Sequence, residues 1–186
     1  MQLIESPLKG LFVIQPEKKG DSRGSFTEVL RMDLLSAAGI NPEFVQMNHS
    51  TSAQNVLRGL HFQWDKPLSK YIRVINGSVF MAAVDIRKNS PTLGRHFTTT
   101  ITAESRTCLW VPAGFATGFC MPEGSGEVEY LYTAYYNQNG ESNILWNDPA
   151  IGVPWPLTDP VVSERDQKAG TMADWLKRRE ADFFMV

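Results

Sequence analysis

Short apolar runs separated by turn-forming clusters fill the middle of this chain. Val128, Tyr130, Tyr132, Ala134 and Tyr136 recur at every second position, the period of a strand with one face turned inward. Residues 71–75 and 78–86 flank Asn76-Gly77. That dipeptide predicts a two-residue hairpin, because a type I′ turn needs positive φ at both central positions. Residues 95–102 are Thr-rich and β-branched, 108–111 form a short apolar run stopped by Pro112, and 143–146 read as another short strand. Turn clusters fall at 88–94, 121–126 and 137–140. Many short strands at this spacing predict an antiparallel sandwich or barrel.

Helical signals are confined to the margins. Residues 32–38 predict a short helix ended by Gly39. Thr171-Met172-Ala173-Asp174 resembles a capping box, and Met172, Trp175 and Leu176 follow at i, i+3 and i+4. Such a helix docks one face on the sheet. The expected organisation is one domain over residues 1–186, with 170–186 as a C-terminal helical appendage.

Composition narrows the function classes. A content of 42% hydrophobic and 20% charged residues describes an ordinary globular chain. A net charge of -2 carries no footprint for DNA or RNA. The first ten residues lack a basic stretch followed by an apolar one, so no signal peptide is expected. The longest purely apolar run, 79–84, is too short to span a bilayer. Cys108 and Cys120 sit in apolar stretches without CxxC spacing and read as buried free thiols. The expected location is the cytoplasm, with no membrane or nucleic-acid partner.

One histidine stands out. Val56-Leu57-Arg58-Gly59-Leu60-His61-Phe62-Gln63 sets an imidazole on a strand-like run, three residues after an Arg. This run alone leaves two readings open: a general base held neutral near pH 7, or a core histidine satisfied by a backbone carbonyl. A metal site is not expected, since His49, His61 and His96 form no H-x-H or H-x-x-x-H pair.

Eight runs then match one family in order and at its spacing. They are Gly20-Asp21-Ser22-Arg23-Gly24, Phe44-Val45-Gln46-Met47-Asn48-His49-Ser50, residues 55–63, Ala83-Val84-Asp85-Ile86-Arg87-Lys88, Ser90-Pro91-Thr92, Leu109-Trp110-Val111-Pro112, Ile144-Leu145-Trp146-Asn147-Asp148 and Ser163-Glu164-Arg165-Asp166. Spread from about Gly10 to Ala169, they resemble the nucleotide-sugar 3,5-epimerases, whose best-known member acts on dTDP-4-keto-6-deoxyglucose on the way to dTDP-L-rhamnose. The resemblance implies an all-β, cupin-type jelly-roll barrel, a homodimer, a nucleotide-sugar substrate, and neither metal nor cofactor.

The chemistry explains the residue types. A C4 ketone acidifies the protons on both neighbouring carbons. Inversion needs a base on one face, an acid on the other, and a cation or donor at the enolate oxygen between them. By the resemblance, His61 is the base, Asp166 orients and stabilises it, and Lys70 lies near the enolate oxygen. Tyr130, followed by Thr133, Tyr135 and Tyr136 at the family spacing, is the acid, with Tyr132 as the alternative. Arg23, Glu28, Gln46, Asn48, Arg58 and Arg165 are implied in diphosphate and nucleoside binding. Phe26 is implied as a stacking surface reaching across the dimer. Thr117, Tyr135 and Glu141 complete the expected substrate contacts.

Three positions depart from the family. Thr117 stands where the family usually has His in G-F-A-H-G-F, Met81 where it has Asp, and Met47 where it has the Asp of Q-D-N-H. Each change removes a polar or chargeable group. The sequence therefore predicts an epimerase acting at C3 and C5, or at one of them on a less hydroxylated sugar. The reading of another class is a sugar-nucleotide-binding protein without turnover.

Overall fold

The computed structural model describes all 186 residues. Fourteen strands and three short α-helices follow one another in the order β1 (Gln2–Glu5), β2 (Phe12–Gln15), β3 (Lys18–Asp21), β4 (Gly24–Thr27), α1 (Met32–Ala37), β5 (Gln46–Ser52), β6 (Val56–Gln63), β7 (Lys70–Asn76), β8 (Ser78–Asp85), β9 (His96–Thr102), β10 (Cys108–Val111), β11 (Phe115–Cys120), β12 (Gly126–Tyr132), β13 (Glu141–Asn143), β14 (Val161–Val162), α2 (Glu164–Gln167) and α3 (Met172–Lys177). A 3₁₀ turn, Arg179–Phe184, ends the chain.

The strands form two six-stranded sheets. The first runs β1-β2-β10-β7-β12-β5, and the second runs β13-β6-β11-β8-β9 with β14 added in parallel to β6. A separate hairpin, β3–β4, is almost wholly exposed. This is the sandwich expected from the many short strands, in the jelly-roll form that the family resemblance implies.

The central core lies between the sheets. Ile72, Val74, Leu109 and Val128 from the first sheet meet Val79, Met81, Phe115 and Phe119 from the second. The outer face of the second sheet is covered as well. Leu60, Phe62, Val84 and Ala116 pack beneath Met172, Trp175 and Phe184 of the C-terminal segment. A sheet buried on both faces explains why every residue of β11 is buried and why β8 reads as a continuous apolar run. The C-terminal helix begins as its sequence predicts: Thr171 and Asp174 close a reciprocal capping box, and Met172 and Trp175 are buried.

Three sequence expectations are corrected. Asn76-Gly77 does not close a hairpin, because β7 pairs with β10 and β12 while β8 pairs with β11 and β9. Gly77, at φ +80°, instead carries the chain from one sheet to the other. A Cβ there would lie 2.4 Å from the Ser125 carbonyl oxygen. A turn signal reports a reversal of direction; it does not report whether the two flanking strands pair with each other. The alternating tyrosine strand ends at Tyr132, so Ala134 and Tyr136 fall in the following loop, where Gln46 Oε1 holds the Tyr136 amide. The strand expected at 143–146 lies earlier, at Glu141–Asn143, and Ile144 makes only an isolated bridge to Gly170.

Candidate active site

The site begins with an irregularity in β6. Opposite β11, Thr117 pairs with His61 and Phe119 with Arg58, so β6 takes one residue more than β11 over the same span. The extra residue is a bulge, and it reverses the strand's alternation. Arg58 and His61, which strict alternation would send to opposite faces, both line one cavity of about 200 Å³ between the sheets. The close approach requires glycine: Gly59 has φ +138°, and a Cβ on it would meet Gly118 Cα at 2.5 Å.

Helix α2 brings up the carboxylate. Ser163 caps the helix by accepting from the Asp166 amide at 3.1 Å. Asp166, only 2% exposed, is thereby set behind β6. Its Oδ1 lies 2.6 Å from His61 Nε2 and accepts from Asn143 Nδ2 at 3.1 Å, while Oδ2 accepts from the Gly59 amide at 3.4 Å. Burial alone would raise the Asp166 carboxyl, but the hydrogen bonds from His61, Asn143 and Gly59 outweigh it and hold the group below its ordinary value. With Asp166 accepting from Nε2–H, His61 Nδ1 carries the free lone pair and has no protein partner.

A cation and two phenols share the cavity. Lys70 opens β7 and donates from Nζ to Thr117 Oγ1 at 2.6 Å and to the His61 carbonyl at 3.2 Å. Burial lowers its pKa to about 8, against the opposing pull of Glu141. Tyr130 and Tyr132 stack on β12 with ring centroids 5.9 Å apart. The Tyr130 hydroxyl lies 2.5 Å from Ser50 Oγ. Burial raises both phenols. Ser50 and Arg58 work against that rise at Tyr130, whereas at Tyr132 the neighbours Tyr130, Glu141 and Tyr136 add to it and a hydrogen bond with Asn48 opposes it.

Glu141 and Arg58, which line the cavity, are held by polar neighbours, and Gln46 and Asn48 on β5 do not line it. Glu141 Oε2 accepts from Arg165 Nη1 at 2.5 Å and from the Tyr136 hydroxyl at 2.9 Å. Arg58 is steadied by Ser52 Oγ at 3.0 Å, and Gln46 donates to Asn48 Oδ1 at 2.8 Å.

The structure thus gathers His61, Asp166, Lys70, Tyr130, Arg58, Thr117 and Glu141, with Arg165 beside Glu141. It does not gather all the expected residues. Arg23, Phe26 and Glu28 lie on or just beyond the exposed β3–β4 hairpin and do not line the cavity. Arg23 pairs with Asp21, and Phe26 is 67% exposed. Tyr135 is also largely exposed and outside the cavity. Of the three departures, Thr117 and Met81 line the cavity. Met47 does not: β5 turns Gln46, Asn48 and Ser50 inward and Met47 and His49 outward. His96, on β9, donates from Nδ1 to the Ile151 carbonyl at 3.1 Å, two strands away from β11, the partner of β6.

Three site residues escaped the sequence reading. Ser163 was findable as a Ser three residues before an acidic residue, a helix-start signal. Ser50 was findable as the next inward position after Gln46 and Asn48. Asn143 carries no sequence signal, because its partners Arg165 and Asp166 are distant along the chain.

Comparison with known proteins places the chain in a family. The family model described as dTDP-4-dehydrorhamnose 3,5-epimerase matches residues 5–174. The enzyme of that name from Shigella flexneri is 37% identical over 187 residues, covering 100% of both chains. That of Neisseria gonorrhoeae is 42% identical over 174 residues, covering 93% of this chain, which spans 53% of that relative's length. Among solved structures, the Legionella pneumophila dTDP-6-deoxy-D-glucose-3,5-epimerase in complex with dTDP-4-keto-L-rhamnose superposes with a TM-score of 0.89 at 36% identity, covering 92% of this chain and 93% of that one. The chain belongs to the dTDP-4-dehydrorhamnose 3,5-epimerase family, a family of isomerases.

Proposed function

We propose that this protein inverts C3 and C5 of a dTDP-linked 4-keto-6-deoxy sugar by deprotonation and reprotonation through a C4 enolate. The observation that carries the reading is the His61–Asp166 pair, which shares one cavity with Lys70 and Tyr130. His61 Nδ1 takes the proton from the carbon beside the ketone, and the C–H electron pair moves toward the C4 oxygen. Lys70 stabilises the charge that develops there. Tyr130 then delivers a proton to the same carbon as the electron pair returns from oxygen. His61 and Tyr130 stand on opposite sheets, which supports removal from one face and delivery to the other. Ser50 and Arg58 ease proton loss from Tyr130, and this favours it over Tyr132 as the acid.

The cavity, at about 200 Å³, is smaller than the ~300–1,000 Å³ pockets that enclose whole drug-sized ligands. It suits a sugar ring whose nucleotide lies outside. Gln46, Asn48, Arg58, Tyr135, Glu141 and Arg165 are assigned to the mouth, where Arg forks suit diphosphate oxygens. Arg23, Phe26 and Glu28 are assigned to the site of a second copy in a homodimer, their exposure on an arm supporting that assignment. The reaction needs no metal or cofactor. The buried free thiols of Cys108 and Cys120 fit a reducing compartment, the cytoplasm. No helix is long and apolar enough to cross a membrane.

Thr117 and Met81 in the cavity favour a second reading, inversion at one carbon only. One experiment separates the readings. dTDP-4-keto-6-deoxyglucose is incubated with the protein in D2O, and its C3 and C5 protons are followed by NMR. Exchange at both carbons is expected. Exchange at one supports the single-centre reading, and exchange at neither, with binding retained, leaves a non-catalytic binding protein.

A further inference from the structure

We infer that Thr117 is a positioning residue whose hydroxyl aims the Lys70 ammonium at the substrate. The inference rests on the reading of Lys70 as the group that stabilises the enolate oxygen. A lysine ammonium has three hydrogens and a flexible four-carbon stem, so its direction must be imposed from outside. Here two hydrogens are committed, to Thr117 Oγ1 at 2.6 Å and to the His61 carbonyl at 3.2 Å. The third is left for the cavity that Lys70 lines.

The hydroxyl's own direction is fixed in turn. An ammonium cannot accept a hydrogen bond, so Thr117 Oγ1 must accept from Lys70. Its proton then points to the His61 carbonyl at 3.4 Å. Thr117 is buried on the stiff frame of β11 and sits directly opposite His61 in the strand pairing. A β-branched side chain adds restricted rotation about χ1. The pairing that sets the base therefore also sets the hydroxyl, and through it the cation. Thr117 is committed to protein groups and is a poor candidate for a direct contact with the sugar.

The other groups facing Lys70 are Glu141 from β13, the Tyr132 ring 5.9 Å from Nζ, and His61 and Arg58 from β6. Of these, Glu141 favours the charged amine. Burial opposes it and outweighs Glu141. Loss of the Thr117 acceptor removes a charge-assisted hydrogen bond and shifts the balance further toward the neutral amine.

The test compares Thr117→Val, which keeps the shape without the hydroxyl, with Thr117→Ser, which keeps the hydroxyl. C3 and C5 exchange in D2O is measured between about pH 6 and 9, with Lys70→Met as the reference. In Thr117→Val, kcat falls about 10-fold or more, KM stays within about twofold, and the alkaline limb of kcat moves about one pH unit lower. Thr117→Ser restores both the rate and the limb. Thr117→Ala gives the same comparison if the Val variant does not fold. Wild-type kcat and limb in Thr117→Val, with Lys70→Met inactive, overturn this inference alone. Wild-type rates in Lys70→Met overturn the reading of Lys70 and the inference with it.

Discussion

Arg58 and His61 stand three residues apart on one strand and yet turn into the same cavity. The bulge between them makes this possible, and Gly59 makes the bulge possible. Gly59→Ala should lose about 1–3 kcal/mol to backbone strain alone, before the contact with Gly118 is counted. For a chain of this size that is a fall in Tm of several degrees, about 2–4 °C per kcal/mol. Thermal unfolding of the variant checks it. An unchanged Tm with full activity would mean that the strand pair relaxes freely and that the bulge does not hold the site.

His61→Asn should fold and assemble as the wild type does while losing exchange at both carbons. Removal of a positioned base costs on the order of 100- to 10,000-fold. Asp166→Asn should move in the same direction, because an amide neither stabilises an imidazolium nor fixes the tautomer that leaves Nδ1 free. Rates of deuterium wash-in measure both. Near-normal exchange in His61→Asn would sink the mechanism.

The sheet architecture and the partners of His61 were readable to different depths. Cys108–Val111 is a strand with the bounds its apolar run predicts, and the Thr171–Asp174 box starts α3 as read. Such features are local: a run, a stop, a cap. Asn76-Gly77 was misread because its turn chemistry is local while strand partners are chosen by the whole sandwich. Alternation alone would also have separated Arg58 from His61, since a bulge depends on the facing strand. His61 stood out in its own run, with its role left open, whereas Asp166 and Lys70 entered through the family resemblance, and the structure brings the three together. The Lys70–Thr117 bond joins residues 47 positions apart and had no counterpart in sequence spacing.

Lys70 should leave a signature in stability. Its amine is held near pH 8 in the fold, against about 10.4 in an unfolded chain. Between these values the unfolded chain binds more protons, so stability rises with pH. The burial cost is fully present below about pH 8 and is relieved as pH rises toward 10. Other titrating groups cancel when the wild type is compared with Lys70→Met. Relative to that variant, the wild type should gain stability from about pH 7.5 to 10, by on the order of 2–3 kcal/mol. Urea unfolding at several pH values measures it. A pH-independent difference would mean that Lys70 titrates normally.

Trp175 supports the site from behind. Its ring centroid lies 4.5 Å from that of Phe62, the residue after His61 on the opposite face of β6. Trp175 is 3% exposed, so Trp175→Ala should cost about 3–5 kcal/mol. If the appendage also steadies β6, kcat should fall below the melting transition while circular dichroism remains native. Full stability in the variant would show that the C-terminal segment packs loosely.

The last prediction concerns the exposed arm. Phe26 is a large aromatic with 67% of its surface in water, and neither it nor Arg23 reaches the cavity of its own chain. The first sheet also ends in two open edges, β1 and β5, which invite pairing with another chain. If the arm serves the cavity of a second copy, two different inactive variants should rescue each other. Arg23→Ala combined with Phe26→Ala disables the arm, and His61→Asn disables the cavity. In a mixed dimer, one composite site then carries both defects and the other carries none. With random mixing, half of the dimers are mixed and each has one intact site of two, so about a quarter of wild-type activity should return. Light scattering at micromolar concentration should show a dimer before and after mixing. If arm and cavity belong to the same site within one chain, every site keeps a defect and mixing restores nothing. A monomer would likewise refute the shared site and return Arg23 and Phe26 to the solvent.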